Sequence, residues 1–303
     1  MDRNLWTCLV SALRRAERVV RRRLGPEKKV RYPSTLIARM YLWQVAHDQT
    51  MLWACQRGHY SNLFRPRKLP SYSQYTRRVP SPRVQQLLEA LHDQLCGLER
   101  TPQLSYLDGK LLEVSNHSHD REATKVRVNR GYVRGYRLHA WAGEDHRIKT
   151  WAVTGAHAGE QTIARLLCQH MPALLASSVV LGDARFDSSP LYADVACRGG
   201  ALFTPLLGMA KHPKTRRQMS PARLEAIEVW EQAKSLGRLM LRQRIGIEQV
   251  FSQLCATGGG LTHLPPWVRT LKRVRLWVGV KIILHNARVQ LRQQRKQDLA
   301  QAG

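Results

Sequence analysis

The sequence predicts an α/β protein, with a mixed five-stranded sheet flanked by helices and a helical N-terminal region. Hydrophobic residues recur at helical spacing over residues 1–100, and from residue 101 short β-rich segments alternate with helical ones. The chain has 303 residues, which is long for a single domain. We therefore predict two domains, residues 1–100 and residues 101–303, the second of which ends in helices.

Residues 1–100 contain four helical patterns. In the first, Leu5, Leu9 and Leu13 lie on one stripe, and arginines occupy the opposite face toward its end. Cap and turn residues mark where the helices begin and end. These are Gly25-Pro26, Ser34, Ser71 or Ser73, and Gly97.

Five strands are predicted in the second domain. They are expected at residues 104–114, 135–144, 146–155, 177–183 and 201–207. The first three form a meander, and the fourth is a continuous apolar run, typical of a strand buried on both faces. A helix at residues 159–171 precedes the fourth strand, and a second helix, capped by Ser189, follows it. After a basic loop at residues 210–221 the chain is predicted to be helical.

The composition indicates a nucleic-acid partner. The formal net charge is +27 and the isoelectric point is about 10.8, so the protein attracts polyanions. An anionic membrane surface is the rival explanation, but the apolar run at residues 276–284 is too short to span a bilayer and contains Lys281. Six cysteines without a Cys-x-x-Cys pair favour a reducing cytosol over a zinc site or a disulfide framework.

Two aspartates follow the fourth strand. Asp183 comes at its carboxyl end, where α/β sheets place ligands, and a carboxylate there must be solvated, paired or bound to a metal. Asp187 falls in the turn before the next helix. We interpret Asp187 as a solvated turn residue or an aid to the cap at Ser189.

Two further carboxylates are candidates for the same site. Asp108 lies inside the first strand, on one face with Tyr106 and Lys110, and a buried salt bridge explains it equally well. Glu248 lies at the rim of the buried face of a later helix, where an ion pair with Arg244 is the simpler explanation. Together, however, Asp108, Asp183 and Glu248 suit a pair of Mg²⁺ ions that catalyse phosphoryl transfer.

The chain resembles the DDE transposases of bacterial insertion sequences, which share the ribonuclease H-like fold with retroviral integrases. Residues 106–110 (YLDGK), 181–192 (LGDARFDSSPLY) and 242–254 (RQRIGIEQVFSQL) match the three catalytic blocks in order. Residues 134–141 (RGYRLHAW) and 281–288 (KIILHNAR) match as well. The resemblance spans nearly the whole chain and assigns Asp108, Asp183 and Glu248 as catalytic metal ligands.

The block around Glu248 departs from the family pattern. Arg244 fits the signature, but Leu241 and Cys255 stand where many relatives have Tyr and Lys that grip the transposon end. The chain therefore lacks the two side chains that make these DNA contacts in relatives. Lys272, Arg273 and Arg244 are the basic residues expected to compensate, and Arg21, Arg22 and Arg23 are expected to contact phosphates.

The resemblance implies an enzyme that binds terminal inverted repeats, cleaves the element ends and joins the 3′-hydroxyls to target DNA. It implies two Mg²⁺ ions, with Mn²⁺ as a substitute, no covalent intermediate, and a homodimer in the synaptic complex. The expected location is the bacterial cytoplasm, in association with the nucleoid. Two alternatives remain open: an inactive transposase-derived DNA-binding protein, and a stand-alone metal-dependent nuclease.

Overall fold

The structure, a computed structural model, describes residues 1–98, 101–115, 117–129, 131–171, 178–206, 216–256, 261 and 263–302. The chain divides into two compact units. The helical unit comprises Met1–Cys96 and Gln253–Gly303, and the sheet unit comprises Gly97–Ser252. Residues 253–303 thus group with the N-terminal helices, whereas the sequence-based boundary places them in the second domain.

Helices and strands follow the predicted order. The helices are α1 (Arg3–Leu24), α2 (Ser34–Ala46), α3 (Tyr72–Arg78), α4 (Pro82–Leu95), α5 (Glu160–His170), α6 (Ser189–Ala196), α7 (Pro221–Gln232), α8 (Lys234–Arg242), α9 (Ile245–Ala256) and α10 (Leu271–Ala302). The strands are β1 (Leu104–Val114), β2 (Thr124–Val128), β3 (Gly131–Gly143), β4 (Ile148–Gly155), β5 (Val179–Leu181) and β6 (Ala201–Phe203).

The strands form one mixed sheet, which confirms the predicted fold class. β1 pairs antiparallel with β3, and β3 pairs antiparallel with β4. On its other edge β1 pairs parallel with β5, and β5 pairs parallel with β6. The order β4-β3-β1-β5-β6 is that of the ribonuclease H-like fold.

The prediction of five strands is wrong by one, because the described part of the sheet has six. The additional strand, β2, pairs with the beginning of β3 in a hairpin, so β3 starts at Gly131 instead of residue 135. None of the residues of β2 is buried, which is why it lacks the apolar pattern of a core strand. Ser177 and Leu207, at the ends of two predicted strands, lie outside the described residues.

One face of the sheet packs against α5 and α6. Leu107 and Trp141 from the sheet contribute to this core together with Leu167 of α5 and Leu191 of α6. Helix α7 is attached beside it, because Trp230 stacks on Phe203 of β6 and its indole N–H donates to the Thr204 carbonyl at 3.0 Å. The sheet and these helices form a rigid support for the loop after β5.

The helical unit confirms several predicted boundaries. Gly25, with a positive φ of 73°, ends α1, and Ser71 caps α3 in a capping box with Gln74. Two caps differ from the prediction. Ser34 is the first residue of α2, and its N–H and hydroxyl donate to the Glu27 carboxylate, while Ser188 precedes α6 in place of Ser189. No helix in the described ranges is long and apolar enough to cross a membrane.

Candidate active site

Asp108 lies on β1, and Asp183 comes just after the neighbouring strand β5. β1 and β5 are parallel, with Tyr106 paired to Leu181, and each aspartate comes two residues after that pair. Asp108 shares one face of β1 with Tyr106, and it is close enough to Asp183 for that charge to raise its pKa. The strand register therefore explains why residues far apart in sequence approach one another.

Helix α9 brings Glu248 to this face. Gly246 packs directly on the ring of Tyr106, where a Cβ at position 246 would lie 2.7 Å from Cζ. Further along the helix, the Lys110 ammonium lies 6.0 Å from the centroid of the Phe251 ring. Glu248 lies between these two contacts in sequence, and its side chain is 64% exposed. The sequence places Glu248 at the rim of the buried face of this helix, where a partly exposed side chain is expected.

Arg244 lies between two of the carboxylates. Its guanidinium is 3.6 Å from Oδ2 of Asp108 and 3.9 Å from Oε1 of Glu248. The ion-pair alternatives considered for these two residues are thus both present, with one arginine as the shared partner. Arg244 partly neutralises a group of like charges that would otherwise repel one another.

The electrostatics of Asp108 reflect the other two carboxylates. Burial raises the pKa of Asp108, and the charges of Asp183 and Glu248 raise it further. The Gly109 N–H, which donates to Oδ1 at 2.7 Å, and Arg244 act in the opposite direction. Burial is the largest of these effects, and the net direction is a raised pKa for Asp108.

These residues fit a hard divalent cation. All three side chains offer oxygen ligands, which Mg²⁺ and Mn²⁺ prefer, and a cation would offset the burial and the repulsion that together raise the pKa of Asp108. Another group of possible metal ligands, His92, Asp93 and Cys96, also lies in the described ranges. Its ligand atoms all lie within 4.8 Å of one another. That mixed nitrogen, sulfur and oxygen set does not suit Mg²⁺.

A second charged group borders the site on the α5 face of the sheet. Glu160, the first residue of α5, pairs with Arg137 of β3 and, at 3.1 Å, with Arg185. Gly109 leaves room for it, because a Cβ at position 109 would lie 3.3 Å from Cδ of Arg137. Burial and Arg185 lower the pKa of Arg137, whereas Asp108 and Asp183 act to raise it. Arg137 is therefore close enough to Asp108 and Asp183 for their charges to interact.

Asp187 is not the solvated residue expected from the sequence. Its side chain is 0% exposed and forms a bidentate ion pair with Arg223 of α7, with both contacts at 2.8 Å. Arg223 also donates to the Ser189 hydroxyl at 3.4 Å. The prediction of a solvated turn is wrong because α7, at residues 221–232, folds back over the turn. This ion pair fixes the far end of the loop that carries Asp183.

The predicted DNA contacts are divided between the two units. Arg244 belongs to the sheet unit and lies beside the candidate ligands. The other predicted DNA contacts belong to the helical unit and are exposed. They are Arg21, Arg22 and Arg23 in the last turn of α1, and Lys272 and Arg273 in the first turn of α10.

Sequence reasoning missed four charged residues around the site: Arg137, Glu160, Arg185 and Arg223. Arg137 falls within a block that matches the family, but nothing in that block indicates its partner. Glu160 and Arg223 resemble ordinary helix residues in sequence. Only the packing of α5 and α7 against the loop after β5 reveals their contacts.

We predict that Gly246→Ala lowers the DNA cleavage that the family resemblance implies by about 10- to 100-fold, because an added methyl group pushes α9 and Glu248 away from β1. We also expect it to lower stability by about 1–3 kcal/mol, since the Tyr106 ring is buried and has little room to move. Denaturant unfolding and a cleavage assay measure both effects. Gly58→Ala is the matched control, because nothing lies within 4 Å of the added atom. Full activity of Gly246→Ala would contradict the role of this contact.

The fold places the chain in the ribonuclease H-like class. Within that class, residues 99–286 match the transposase DDE domain family. The match covers more than half of the chain, so the chain belongs to the transposase DDE domain family.

Among solved structures, the chain is distantly similar to the piggyBac transposase in a cryo-EM synaptic complex with hairpin DNA. The sequence identity is 7% and the TM-score is 0.46. The likeness covers 93% of this chain and 71% of the other. A comparison with curated proteins found no match. DDE transposase domains generally use divalent metals, which agrees with the oxygen ligands described above.

Proposed function

We propose that this protein is an active DNA transposase that binds the inverted repeats of its element, cleaves the ends and joins each 3′-hydroxyl to target DNA. The observation that carries the proposal is that Asp108 on β1 lies close enough to Asp183, after the parallel strand β5, and to Glu248 on α9 for both charges to raise its pKa. Arg244 links Asp108 to Glu248 in the same group. We further propose that it acts as a homodimer, in the bacterial cytoplasm at the nucleoid.

The proposal assigns roles to the three carboxylates and to Arg244. Asp108, Asp183 and Glu248 would hold two Mg²⁺ ions, or Mn²⁺ in their place. When bound, such ions stabilise charge on the scissile phosphoryl group and activate first water and then a 3′-hydroxyl. Asp108 is held by β1 and Asp183 accepts a hydrogen bond from the Arg185 N–H, whereas exposed Glu248 can adjust its side chain. The Arg244 guanidinium can move from the carboxylates to a DNA phosphate, since both are anionic oxygen acceptors.

Position 255 bears on whether the enzyme is active. The Cys255 thiol is close enough to Lys281 to influence the pKa of that ammonium, which burial lowers. Lys281 is itself buried and paired with Asp48, so a lysine at position 255 would stand near a second, buried cation. We propose that Arg244, Lys272 and Arg273 supply the phosphate contacts in place of a lysine at this position.

Plasmid cleavage tests the proposal. The substrate is a plasmid carrying the DNA that flanks the coding sequence on both sides, incubated with the full chain and Mg²⁺. A transposase cuts at two defined boundaries, which sequencing of the broken ends locates. Cuts at scattered positions would favour the stand-alone nuclease, and binding without cuts, in both Mg²⁺ and Mn²⁺, would favour the inactive DNA-binding protein.

A prediction about metal-free stability follows from the raised pKa of Asp108. An acid whose pKa is higher in the folded state loses stability as the pH rises through that value, so ionised Asp108 destabilises the metal-free protein at neutral pH. Asp108→Asn should therefore raise the melting temperature in EDTA at pH 7, and this gain should vanish in acid. Mg²⁺ should raise the melting temperature of the wild type more than that of the variant. A lower melting temperature of Asp108→Asn in EDTA would contradict the electrostatic argument.

A prediction about DNA binding follows from the basic end of α1. Replacing Arg21, Arg22 and Arg23 together by alanine should weaken binding and reduce the slope of log affinity against log salt by up to about 2.7, at about 0.9 per phosphate contact. All three residues are exposed, so the melting temperature should not change. Fluorescence anisotropy with a labelled duplex measures the slope. An unchanged slope would mean that this part of α1 does not contact DNA.

A further inference from the structure

The Glu160 group carries more positive than negative charge. One carboxylate, 7% exposed, pairs with two guanidiniums. Arg137 is buried and its contact with Glu160 lies inside the protein, whereas Arg185 is 68% exposed. The surplus positive charge therefore lies at the surface, on Arg185, two residues after the candidate ligand Asp183.

Arg185 is held at three points. Its N–H donates to Oδ1 of Asp183 at 2.8 Å, its carbonyl accepts from Nε2 of Gln161 at 2.9 Å, and its Nη1 donates to Oε1 of Glu160 at 3.1 Å. Among the contacts of the described residues, the guanidinium uses Nη1 alone, so its other donors face solvent. A guanidinium with one side fixed loses little conformational entropy when it binds an oxyanion.

We propose that Arg185 contacts a phosphate of the DNA strand that is being cut, and that Glu160 orients Arg185 for this contact. Without bound metal the three carboxylates repel a phosphodiester, and a fixed cation beside Asp183 offsets part of that repulsion. A planar guanidinium can bind a phosphate through two parallel hydrogen bonds. Arg244 has to leave Asp108 and Glu248 before it can bind a phosphate, whereas the Arg185 guanidinium is already exposed. This inference rests on the proposed function, because it names a residue that binds the same substrate.

DNA binding by the full chain tests the inference. The probe is a labelled duplex from the DNA that flanks the coding sequence, titrated in EDTA between about 50 and 200 mM salt. Arg185→Gln should weaken binding about 5- to 10-fold and reduce the salt slope by about 0.9, the value for one phosphate contact. Arg185→Lys should restore the slope, because it keeps the charge. The melting temperatures of both variants should equal that of the wild type, since Arg185 is largely exposed.

Arg165→Gln is the matched control. Arg165 is also exposed and paired with one carboxylate, that of Asp194, and it lies further along the same helix that begins with Glu160. Its replacement should leave the slope unchanged. The inference is overturned if Arg185→Gln keeps the wild-type slope, if Arg165→Gln loses as much, or if Arg185→Gln lowers the melting temperature. Because no metal is present, the result is independent of cleavage: a wild type that never cuts would disprove the proposed function but not this contact.

Discussion

Asp108→Asn, Asp183→Asn and Glu248→Gln are each expected to lower the rate of end cleavage by about 1,000-fold or more. Each substitution removes a charged oxygen ligand, and the cations that such ligands hold contribute several kcal/mol to the stabilisation of the transition state. The three residues come from β1, the loop after β5, and α9, so equal losses would indicate that they act as one site. A single-turnover cleavage assay on the flanking-DNA plasmid measures the rates.

DNA binding separates loss of chemistry from loss of structure in these variants. All three should bind the labelled duplex in EDTA at least as well as the wild type, because each loses one negative charge. Glu228→Gln is the control, since it removes an exposed carboxylate on α7 and should cleave normally. If any of the three variants cleaves at the wild-type rate, that residue is not a ligand and the assignment of the site is wrong.

The second large effect is on stability. Arg223→Leu is expected to lower the free energy of unfolding by about 3–5 kcal/mol, because it removes the ion pair between Arg223 and the buried Asp187 carboxylate. Asp187→Asn should also destabilise the protein, although an isolated turn residue would tolerate it. Both variants should cleave poorly, since the Asp187–Arg223 pair fixes one end of the loop that carries Asp183. Denaturant unfolding should show a lower midpoint without a change in slope.

A double variant tests whether the loss comes from the buried negative charge that Arg223→Leu leaves behind. Asp187→Leu combined with Arg223→Met removes both charges and should recover much of the stability lost in Arg223→Leu. Asp194→Asn is the control, because it breaks an exposed ion pair and should barely shift the midpoint. If Arg223→Leu unfolds at the wild-type midpoint, or the double variant is less stable than Arg223→Leu, the argument from the buried pair is wrong.

Much of the fold could be predicted from local sequence patterns. Alternation and continuous apolar runs identify β1, β4 and β5, because those strands bury side chains in a regular way. The β2 strand was missed, since its residues are exposed or half-buried and its place in the sheet depends on pairing with β3. The predicted caps Ser34 and Ser189 are each the first residue of their helix, because the Ser34 N–H and hydroxyl donate to Glu27 and α6 begins one residue earlier than predicted.

The candidate site was predictable in part for a similar reason. Asp108 and Asp183 stand out because carboxylates are unusual in or after apolar strands, and their positions follow from the strand order. Glu160, Arg185 and Arg223 carry no such signal, because charged residues are common in helices and turns. Their contacts with one another and with Asp187 arise only when α5 and α7 pack on the loop after β5. The surroundings of the carboxylates therefore required the structure.

Strand transfer tests the central claim most directly. A labelled duplex that ends in a 3′-hydroxyl at the mapped boundary is incubated with the full chain, Mg²⁺ and a supercoiled target plasmid. The account predicts that the wild type joins the labelled end to the plasmid, that EDTA prevents joining, and that Asp183→Asn forms no joined product. A wild type that joins no ends in either Mg²⁺ or Mn²⁺, or an Asp183→Asn variant that joins them at the wild-type rate, would contradict it.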